Sequence, residues 1–360
     1  MNKRNMFALT IVMAALLVTL VTPAAADPMQ NPPIPDHHFD PETNELLINA
    51  GVMGLRLDGD EPIFRVKYNP TDDPTMYEIA YTNLTEFSDL NGDGAFELNE
   101  TVNVIPFSAI DWQLSIVNLT DDLGNYIGIK FTYTKVGVNF ADLSVTYTHD
   151  ELNALTIQLV SYIYVDTNHT IEISTHHGEV NYTVNPITEV KTDIVIGNYP
   201  FSDQDNMVTI GVHLSVITPN AYRHVYRLRH NNMYQYINST NVSDNATREQ
   251  VLQRMQNETM AEIGFPSESD LDPALFRWLE YAVVNNNGVE TTVNVSTSYL
   301  ADSTGVQVYL AYPNFNGTLV HDPSIVLNEE AFASTSLPDI LIIGGIIAVI
   351  AVAAVLVKKH

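Results

Sequence analysis

The stretch SDLNGDGAFELNE, from Ser88 to Glu100, holds the residues whose spacing is most specific for a chemical role. Counted from Asp89, oxygen donors fall at positions 1, 3, 5, 7, 9 and 12 of a loop, in the order Asp89, Asn91, Asp93, Ala95, Glu97 and Glu100. Ala95 offers its backbone carbonyl, Glu97 acts directly or through water, and Glu100 can close the shell with both carboxylate oxygens. Ca²⁺ takes about six to eight oxygen ligands in a flexible shell. The spacing therefore predicts that this loop binds Ca²⁺.

The same stretch resembles the calcium loop of EF-hand proteins, over 12 of the 360 residues. Gly94 stands at the position where such a loop must turn sharply. Phe96 departs from the pattern, because an aliphatic β-branched residue is usual there, although an aromatic side chain can still point inward. The competing interpretation is a solvated turn of Asp, Asn and Gly that binds nothing.

The residues on both sides of the loop predict strands rather than the paired helices of a calcium sensor. Apolar and polar residues alternate from Met76 to Leu84 before the loop, and Val102 and Val104 continue the alternation after it. A sensor needs two helices that open when the ion binds. A loop between strands has no helices that could move, so we expect a structural calcium clip, that is, an ion that holds two strands together.

Period-two alternation dominates the rest of the chain and predicts a mainly β protein. The predicted strands are rich in Val, Ile, Thr and Tyr and are separated by Asn, Asp, Gly and Pro. They cover 63–68, 76–84, 110–118, 127–134, 143–149, 155–165, 189–197, 207–217, 289–300 and 305–312. Short strands at this spacing indicate an antiparallel β-sandwich ectodomain, either one large sandwich or two packed ones divided near residues 180–200.

Two segments interrupt the strand pattern. Thr247 and Gln250 have capping-box spacing, and a helical face follows until Gly264 and Pro266. This predicts a small helical insertion at about 246–264. The segment from Asp272 to Ala282 fits a helix or a buried strand, and its sequence FRWLEYAVV favours the strand.

Both ends of the sequence predict membrane targeting. Residues 1–26 have a basic start, an apolar run and the small residues Ala24–Ala26, which is the layout of a secretory signal peptide. Residues 27–41 are rich in Pro, Asp and His and predict a loose lead-in to a β-rich extracellular region at 42–335. Residues 339–357 predict a C-terminal transmembrane helix, because Ile340–Val357 lacks charge and a helix of that length spans about 27 Å. Residues 358–360 then form a short cytoplasmic tail, since basic residues beside a span stay inside.

The composition excludes several classes of protein. There are 43 acidic against 16 basic residues, a net charge of −27, so the surface repels nucleic acid. The chain has no cysteine, which excludes disulfides, thiol catalysis and cysteine-bound zinc. Eleven Asn-x-Ser/Thr triplets offer sites for N-linked glycans. They are Asn83, Asn99, Asn118, Asn168, Asn181, Asn238, Asn241, Asn245, Asn257, Asn294 and Asn316.

Other polar groupings are weaker candidates. His176 and His177 beside Glu179 could bind zinc, but neighbours on a strand point to opposite faces. The pair His37-His38 is interpreted as part of the lead-in. A basic strand, RHVYRLRH from Arg223 to His230, could dock an acidic glycan or a neighbouring subunit. His321-Asp322 falls in a predicted last hairpin, and the chain has none of the common hydrolase or phosphate-binding motifs.

The whole layout resembles a loose class of archaeal cell-surface proteins. These combine a signal peptide, a β-rich glycosylated ectodomain, an Asp-x-Asn-x-Asp-Gly loop between strands and one C-terminal span. Here the supporting residues are Ala24–Ala26, Asp89–Glu100, the triplets from Asn83 to Asn316, and Ile340–Val357. The resemblance implies a single-pass protein of the cell membrane with its ectodomain outside.

We therefore expect a calcium-binding structural or adhesion protein of the cell envelope, with envelope proteins or glycans as partners. The role that we expect is non-enzymatic. The alternatives are a surface hydrolase acting on glycans or peptides, which paired carboxylates could serve, or a module that binds a glycan or solute.

Overall fold

The computed structural model describes residues 35–69, 75–143, 145–165, 170–175, 178–217, 225–230, 233–238, 260–265, 273–301 and 304–328. Within these residues the protein is mainly β. The first nine strands are β1 Asp36–Asp40, β2 Glu45–Ala50, β3 Met53–Asp58, β4 Ile63–Tyr68, β5 Met76–Phe87, β6 Thr101–Pro106, β7 Ile110–Thr120, β8 Tyr126–Val138 and β9 Thr156–Tyr164.

The remaining strands are β10 Thr170–Thr175, β11 Gly178–Thr183, β12 Glu189–Gly197, β13 Met207–Ile217, β14 Val225–His230, β15 Met233–Asn238, β16 Met260–Gly264, β17 Ala274–Leu279, β18 Tyr281–Asn286, β19 Val289–Asn294, β20 Ser296–Ala301, β21 Val306–Tyr312, β22 Thr318–His321 and β23 Ser324–Leu327. One short α-helix, α1, spans His149–Ala154, and 3₁₀ turns occupy Leu98–Glu100, Phe107–Ala109 and Phe140–Asp142.

The strands form two large antiparallel sheets. Sheet A has the order β1-β2-β3-β4-β5-β13-β21-β20, and β6 lies beside the second half of β5. Sheet B runs β7-β8-β9-β12 and then divides, because β12 pairs with β23 along one half and with β22 along the other. Beyond β23 come β17, β16, β14 and β15, and beyond β22 come β18 and β19. The strands β10 and β11 form a separate hairpin.

One hydrophobic core lies between the two sheets. It contains buried residues from sheet A, such as Phe64, and from sheet B, such as Phe131 and Tyr133. The ring of Phe64 lies 5.6 Å from that of Phe131 and 5.8 Å from that of Tyr133. Trp278 of sheet B donates from Nε1 to Oγ1 of Thr297 in sheet A at 3.0 Å. The two antiparallel sheets over a shared core have the form of a β-sandwich.

Side-chain alternation explains which face each strand buries. In β9 the odd-numbered residues from Ile157 to Ile163 are buried while those between them are exposed or half-buried. Shifting such a strand by one residue would move its apolar set to solvent, so the alternation determines its register. The central strands β12 and β13 instead have nearly continuous buried residues, as expected of strands covered on both faces.

Most predicted strands are confirmed, several with the predicted bounds. β4, β12 and β13 span 63–68, 189–197 and 207–217, as the sequence predicts. The ambiguous segment at 272–282 forms strands in its described part, but it is broken at Glu280 between β17 and β18. The lead-in is wrong for residues 36–40, which form β1 and pair with β2.

The strand predicted at 143–149 is wrong in its described part. Thr148 caps a helix there, because its Oγ1 accepts from the backbone N–H of Glu151 at 3.3 Å and Oε2 of Glu151 accepts from the N–H of Thr148 at 2.7 Å. This reciprocal capping begins α1 at His149. Local polar side chains thus outweigh the alternation of Leu143, Val145 and Tyr147.

The strand predicted at 289–300 is two strands in different sheets. The strand is interrupted at Val295, whose N–H donates to the carbonyl of Glu280 at 2.8 Å. The first part, β19, pairs with β18 in sheet B, and the second part, β20, pairs with β21 in sheet A. The residue pattern is strand-like on both sides of the break and therefore does not reveal it.

The predicted last hairpin is also wrong, because β22 and β23 do not pair with each other. Both pair with β12, β22 at residues 194–197 and β23 at residues 189–191. β22 and β23 therefore lie end to end along the same edge of β12, and the residues Asp322-Pro323 separate them. The proline supplies the break, since it lacks the N–H that a strand ladder needs.

The predicted helical insertion at 246–264 is wrong for residues 260–264. These form β16, which pairs with β14 and β17. The rest of the insertion lies outside the described residues, as do the predicted signal peptide at 1–26, the lead-in before residue 35, the transmembrane helix at 339–357 and the tail at 358–360. In the part of the chain that the structure describes, no helix is long and apolar enough to cross a membrane.

Candidate functional site

The candidate calcium loop, Asp89–Glu100, connects β5 to β6 in sheet A. Its ends are held together by the N–H of Ser88, which donates to the carbonyl of Glu100 at 2.9 Å. The loop is flanked by strands, as the sequence predicts, and its last residues form a 3₁₀ turn at Leu98–Glu100. The loop therefore begins and ends at two neighbouring strands of the same sheet.

Asp89 organises the first half of the loop. Its Oδ1 accepts from the N–H groups of Gly92 at 2.8 Å and Asp93 at 3.1 Å, and its Oδ2 accepts from the N–H of Gly94 at 2.8 Å. Gly92 and Gly94 have φ angles of 75° and 76°. Residues with a Cβ rarely adopt this conformation, so the glycines let the chain curl around the Asp89 carboxylate.

The middle ligand candidates continue this inward arrangement. Oδ1 of Asn91 accepts from the N–H of Asp93 at 3.0 Å, and Oδ1 of Asp93 accepts from the N–H of Ala95 at 2.8 Å. Nδ2 of Asn91 donates to Oε1 of Glu97 at 3.3 Å. The candidates at positions 1, 3, 5 and 9 therefore lie together on one small loop.

Glu100 closes the loop from its far end. Its side chain is buried, and Oε1 accepts from the N–H of Leu90 at 3.0 Å while Oε2 accepts from the N–H of Glu97 at 3.1 Å. Burial raises the pKa of the Glu100 carboxyl above its ordinary value, and the negative charges of Glu97 and Asp89 raise it further. A cation in the loop would relieve this repulsion.

Phe96 anchors the loop to sheet A. Only 2% of its surface is exposed, and its ring lies 5.4 Å from that of Phe87 and 4.7 Å from that of Tyr309. Its carbonyl accepts from Oγ of Ser298 at 2.7 Å. Phe96 belongs to a small core cluster, separate from the main core, with Phe87, Leu300, Tyr309 and Ala311. The expectation that an aromatic residue at this position packs inward is confirmed.

Within the described residues, no group of three or more His, Cys, Asp or Glu side chains is arranged to hold a metal ion. In the loop the carboxylates of Asp89, Asp93 and Glu100 accept backbone N–H groups instead. The chemistry of the donor set nevertheless fits Ca²⁺, since these are oxygen ligands and a carboxylate oxygen can accept more than one partner.

Glu86 is a buried polar group that the sequence analysis did not single out. Its Oε1 accepts from the N–H and Oγ of Ser202 and from Nδ2 of Asn206, at 2.7, 2.8 and 2.7 Å. Its Oε2 accepts from Nδ2 of Asn103 at 2.7 Å and from the hydroxyl of Tyr147 at 2.5 Å. Burial opposes the charge, but these donors hold the pKa of Glu86 below its ordinary value. Its partners lie far apart in sequence, so no local pattern could have found it.

His321 is a buried core histidine in the structure. Its Nδ1 lies 2.9 Å from the hydroxyl of Tyr312 and its Nε2 lies 2.7 Å from the carbonyl of Leu279. Burial lowers its pKa to about 4. A neutral imidazole with both nitrogens engaged is a structural element of the core. Its neighbour Asp322 contacts Lys191 instead, at 3.0 Å.

The remaining histidine and arginine candidates are only partly described. His176, His177 and Arg223 lie outside the described residues, while Glu179 lies on β11 opposite Ser174 of β10. The residues 225–230 of the basic stretch form the strand β14, as predicted.

A groove of about 270 Å³ lies on the outer face of sheet A. His37 and His38 line it, together with the basic side chains of Arg56, Arg65 and Lys67. Among the described residues that line it, Asp36 is the only carboxylate. The groove therefore does not have the pair of facing carboxylates that sugar hydrolysis needs.

The glycosylation triplets differ in accessibility. Asn99, Asn118, Asn294 and Asn316 are exposed. Asn83 is half-buried in the middle of β5, where its Nδ2 and Oδ1 are engaged by the hydroxyls of Thr82 and Thr85 at 3.0 Å each. Asn181 and Asn238 lie on β11 and β15, and the other four, Asn168, Asn241, Asn245 and Asn257, lie outside the described residues.

Comparison with known proteins adds no family to this description. No protein-family model matches the chain, and no curated protein matches it. The function is therefore inferred from the residues of this chain alone.

Proposed function

We propose that this chain is a membrane-anchored, calcium-stabilised structural or adhesion protein of the cell envelope. Ca²⁺ would be held by side-chain oxygens of Asp89, Asn91, Asp93, Glu97 and Glu100 and by the carbonyl of Ala95. The ion would act as a clip between β5 and β6. The predicted signal peptide and transmembrane helix would place the sandwich outside the cell, where calcium is plentiful.

The conformation of the Asp89–Gly94 turn is the observation that carries the calcium proposal. The Asp89 carboxylate faces into the loop and organises three N–H groups, with Gly94 at the turn. The anchoring of Phe96 and the burial of Glu100 mean that the second half of the loop is held by the sheet. A loop held at both ends loses little entropy when it closes on an ion.

The same anchoring favours a structural role over a sensing role. Phe96 packs on sheet A, and the bond from the N–H of Ser88 to the carbonyl of Glu100 closes the loop beside strand segments that already pair, Asn83–Phe87 and Thr101–Pro106. Binding would therefore stabilise the existing sheet, and extracellular modules of this kind bind Ca²⁺ at roughly 10⁻⁴ to 10⁻³ M. At a hundredfold excess over the dissociation constant, the ion would add about 2.7 kcal/mol to the free energy of unfolding.

The outer surface suits an envelope protein. The net charge of −27 keeps the chain soluble and away from anionic polymers. The exposed Asn99, Asn118, Asn294 and Asn316 are the glycan acceptors that we propose among the described residues, while Asn83 is a poor acceptor because its side chain is engaged within sheet A.

The test is thermal unfolding of the full-length chain in detergent, with millimolar Ca²⁺ and with excess chelator. We expect Ca²⁺ to raise the melting temperature of the wild type by several degrees. The double variant Asp93→Ala/Glu100→Ala should show no such rise, because it lacks two ligands. Mg²⁺ at the same concentration should give a smaller rise, since it prefers a tight octahedral shell and retains its waters.

Asp121→Ala is the matched control. Asp121 also organises an exposed turn, with its Oδ1 accepting from the N–H groups of Leu123 at 2.9 Å and Asn125 at 2.7 Å, but that turn lacks the ligand spacing. This variant should retain the full response to Ca²⁺. If the wild type does not respond, or if the double variant responds equally, the loop is an acidic turn and the calcium proposal is wrong.

A further inference from the structure

A second charged cluster lies in sheet B, far from the calcium loop in sequence. Lys191, on β12, has a side chain that is 6% exposed. Its Nζ contacts Oδ1 of Asp193 on the same strand and lies 3.0 Å from Oδ1 of Asp322. Asp322 occupies the break between β22 and β23, the two strands that pair with β12. One amine and two carboxyl groups therefore meet where three strands adjoin.

The surroundings of this cluster shield Lys191 from solvent and its two carboxyl groups in part. The ring of Tyr162 lies 5.4 Å from Nζ of Lys191, and Tyr164 stacks parallel to Tyr162 at 5.9 Å. The side chains of Asp193 and Asp322 are 19% and 16% exposed. Electrostatic interactions are strong in such a site. Burial opposes the charge of Lys191, but the charges of Asp322 and Asp193 raise its pKa above the ordinary value, so the neutral amine is the minor form.

The two carboxyl groups differ in protonation. Burial raises the pKa of Asp193 to about 7, and the negative charge of Asp322 adds to this rise. Burial acts in the same direction on Asp322, but the positive charge of Lys191 and the hydrogen bond from Asp193 hold its pKa below the ordinary value. Near neutral pH Asp193 therefore exists in both its protonated and its ionised form. It is hydrogen-bonded to Asp322 and also contacts Lys191.

We propose that Lys191 and Asp322 condense to form an amide cross-link within the chain, and that Asp193 transfers the protons. The arrangement has the three parts that this reaction needs: a buried primary amine, a carboxyl group held against it, and a second carboxyl group that contacts both. All three are positioned by backbone pairing around β12.

The chemistry balances without any co-reactant. In the minor neutral form of the pair, a proton has passed from the Lys191 ammonium to the Asp322 carboxylate, which leaves a neutral amine and a carboxylic acid. The Nζ lone pair then attacks Cγ of Asp322 and forms the C–N bond. Asp193 gives its proton to the departing hydroxyl and takes one from the nitrogen, so the C–O bond breaks and one water molecule leaves.

The cross-link would join positions 131 residues apart in sequence. It would tie β12 to the segment between β22 and β23, the last two strands that the structure describes. A covalent tie over a loop of this length restricts the unfolded chain strongly, as a disulfide does. A chain without cysteine would gain by this route a stabilisation that secreted proteins usually obtain from disulfides.

Mass spectrometry of the full-length chain tests the proposal directly. The protein is produced in a host that attaches no glycans, and its denatured mass is compared with the mass of the sequence. We expect a deficit of one water molecule in the wild type. Proteolysis should yield a branched peptide that joins Lys191 to Asp322, and this peptide distinguishes the cross-link from a cyclic imide, which also loses water.

Three variants complete the test. Lys191→Arg removes the nucleophile and Asp193→Asn removes the proton carrier, so neither should show the deficit. Lys130→Arg, on β8 beside the same Tyr162 in the register of the sheet, should retain it. The wild-type peptide map decides the matter even if a variant fails to fold. A wild type at full mass, or a branched peptide joining Lys191 to Asp193, overturns the proposal.

Discussion

At the scale of single residues, Glu86 shows how a charge can be buried in this sandwich. Its carboxylate is fully buried and accepts five hydrogen bonds, all from neutral donors on other segments. Hydrogen bonds to a charged group each contribute about 1.5 to 3 kcal/mol to the free energy of unfolding, before the cost of desolvation. Glu86 therefore joins β5, β6 and the segments around Tyr147 and Ser202.

We expect Glu86→Gln to lower the free energy of unfolding by about 3 kcal/mol at neutral pH. The side-chain NH2 group of the glutamine would then face hydrogen-bond donors, from which it cannot accept. Glu86 has a lowered pKa in the folded state, so its contribution is fully present above the ordinary value of 4.5 and is lost as the pH falls through the folded value. The difference between variant and wild type should therefore shrink in acid. Urea unfolding at neutral and acidic pH measures both.

The exposed Glu42 supplies the control for this prediction. Glu42→Gln should change the free energy of unfolding by less than about 0.5 kcal/mol at either pH. A Glu86→Gln loss that stays constant from neutral to acidic pH would contradict the role assigned to the carboxylate charge.

Residues that act through local spacing could be predicted from the sequence, and residues that act across the fold could not. The loop candidates Asp89 to Glu100 are near one another in the chain, so their spacing alone indicated a turn with inward oxygens. No local sequence pattern distinguishes Glu86 or Lys191, because their partners lie up to 120 and 131 positions away in the sequence. Only strand pairing brings those groups together.

At the scale of elements, the loop between β5 and β6 is held by sheet A as much as by its own hydrogen bonds. We expect Phe96→Ala to lower the free energy of unfolding by about 3 to 5 kcal/mol, because it leaves a cavity beside Phe87 and Tyr309. Leu90→Ala in the same loop should change it by less than about 0.5 kcal/mol, since Leu90 is 73% exposed. Chemical unfolding of both variants measures the contrast, and equal losses would contradict the anchoring role of Phe96.

Strands with one buried face were predictable, while breaks between strands were not. The alternation in β4 and β9 follows directly from one apolar and one polar face. Val295 and Asp322 interrupt segments whose side chains suit a strand on both sides. Whether the chain continues or changes sheet there depends on pairing with distant residues such as Glu280. Period-two patterns contain no information about such pairing.

At the scale of the whole molecule, one core shared by both sheets predicts that they unfold together. Leu310, in β21 of sheet A, is fully buried in that core. We expect Leu310→Ala to lower the free energy of global unfolding by about 3 kcal/mol. Hydrogen exchange of the slowest amides should then accelerate by about a hundredfold in β12 and β9 of sheet B as well as in β13 and β21 of sheet A.

Val117→Ala on β7 is the control, since this side chain is half exposed and should leave the slowest amides unchanged. Acceleration confined to sheet A in the Leu310→Ala variant would show two units that open independently.

The order of strands along the chain has a consequence for biosynthesis. β21 pairs with β13 one strand from the β20 edge of sheet A, and β22 and β23 pair with β12 in the middle of sheet B. These three strands lie at residues 306–327, so they leave the ribosome after every other strand that the structure describes. Sheet B therefore cannot be completed until these residues are made, whereas β1 to β6 and β13 of sheet A are available earlier. We therefore expect the core shared by the two sheets to be completed only late in synthesis of the chain.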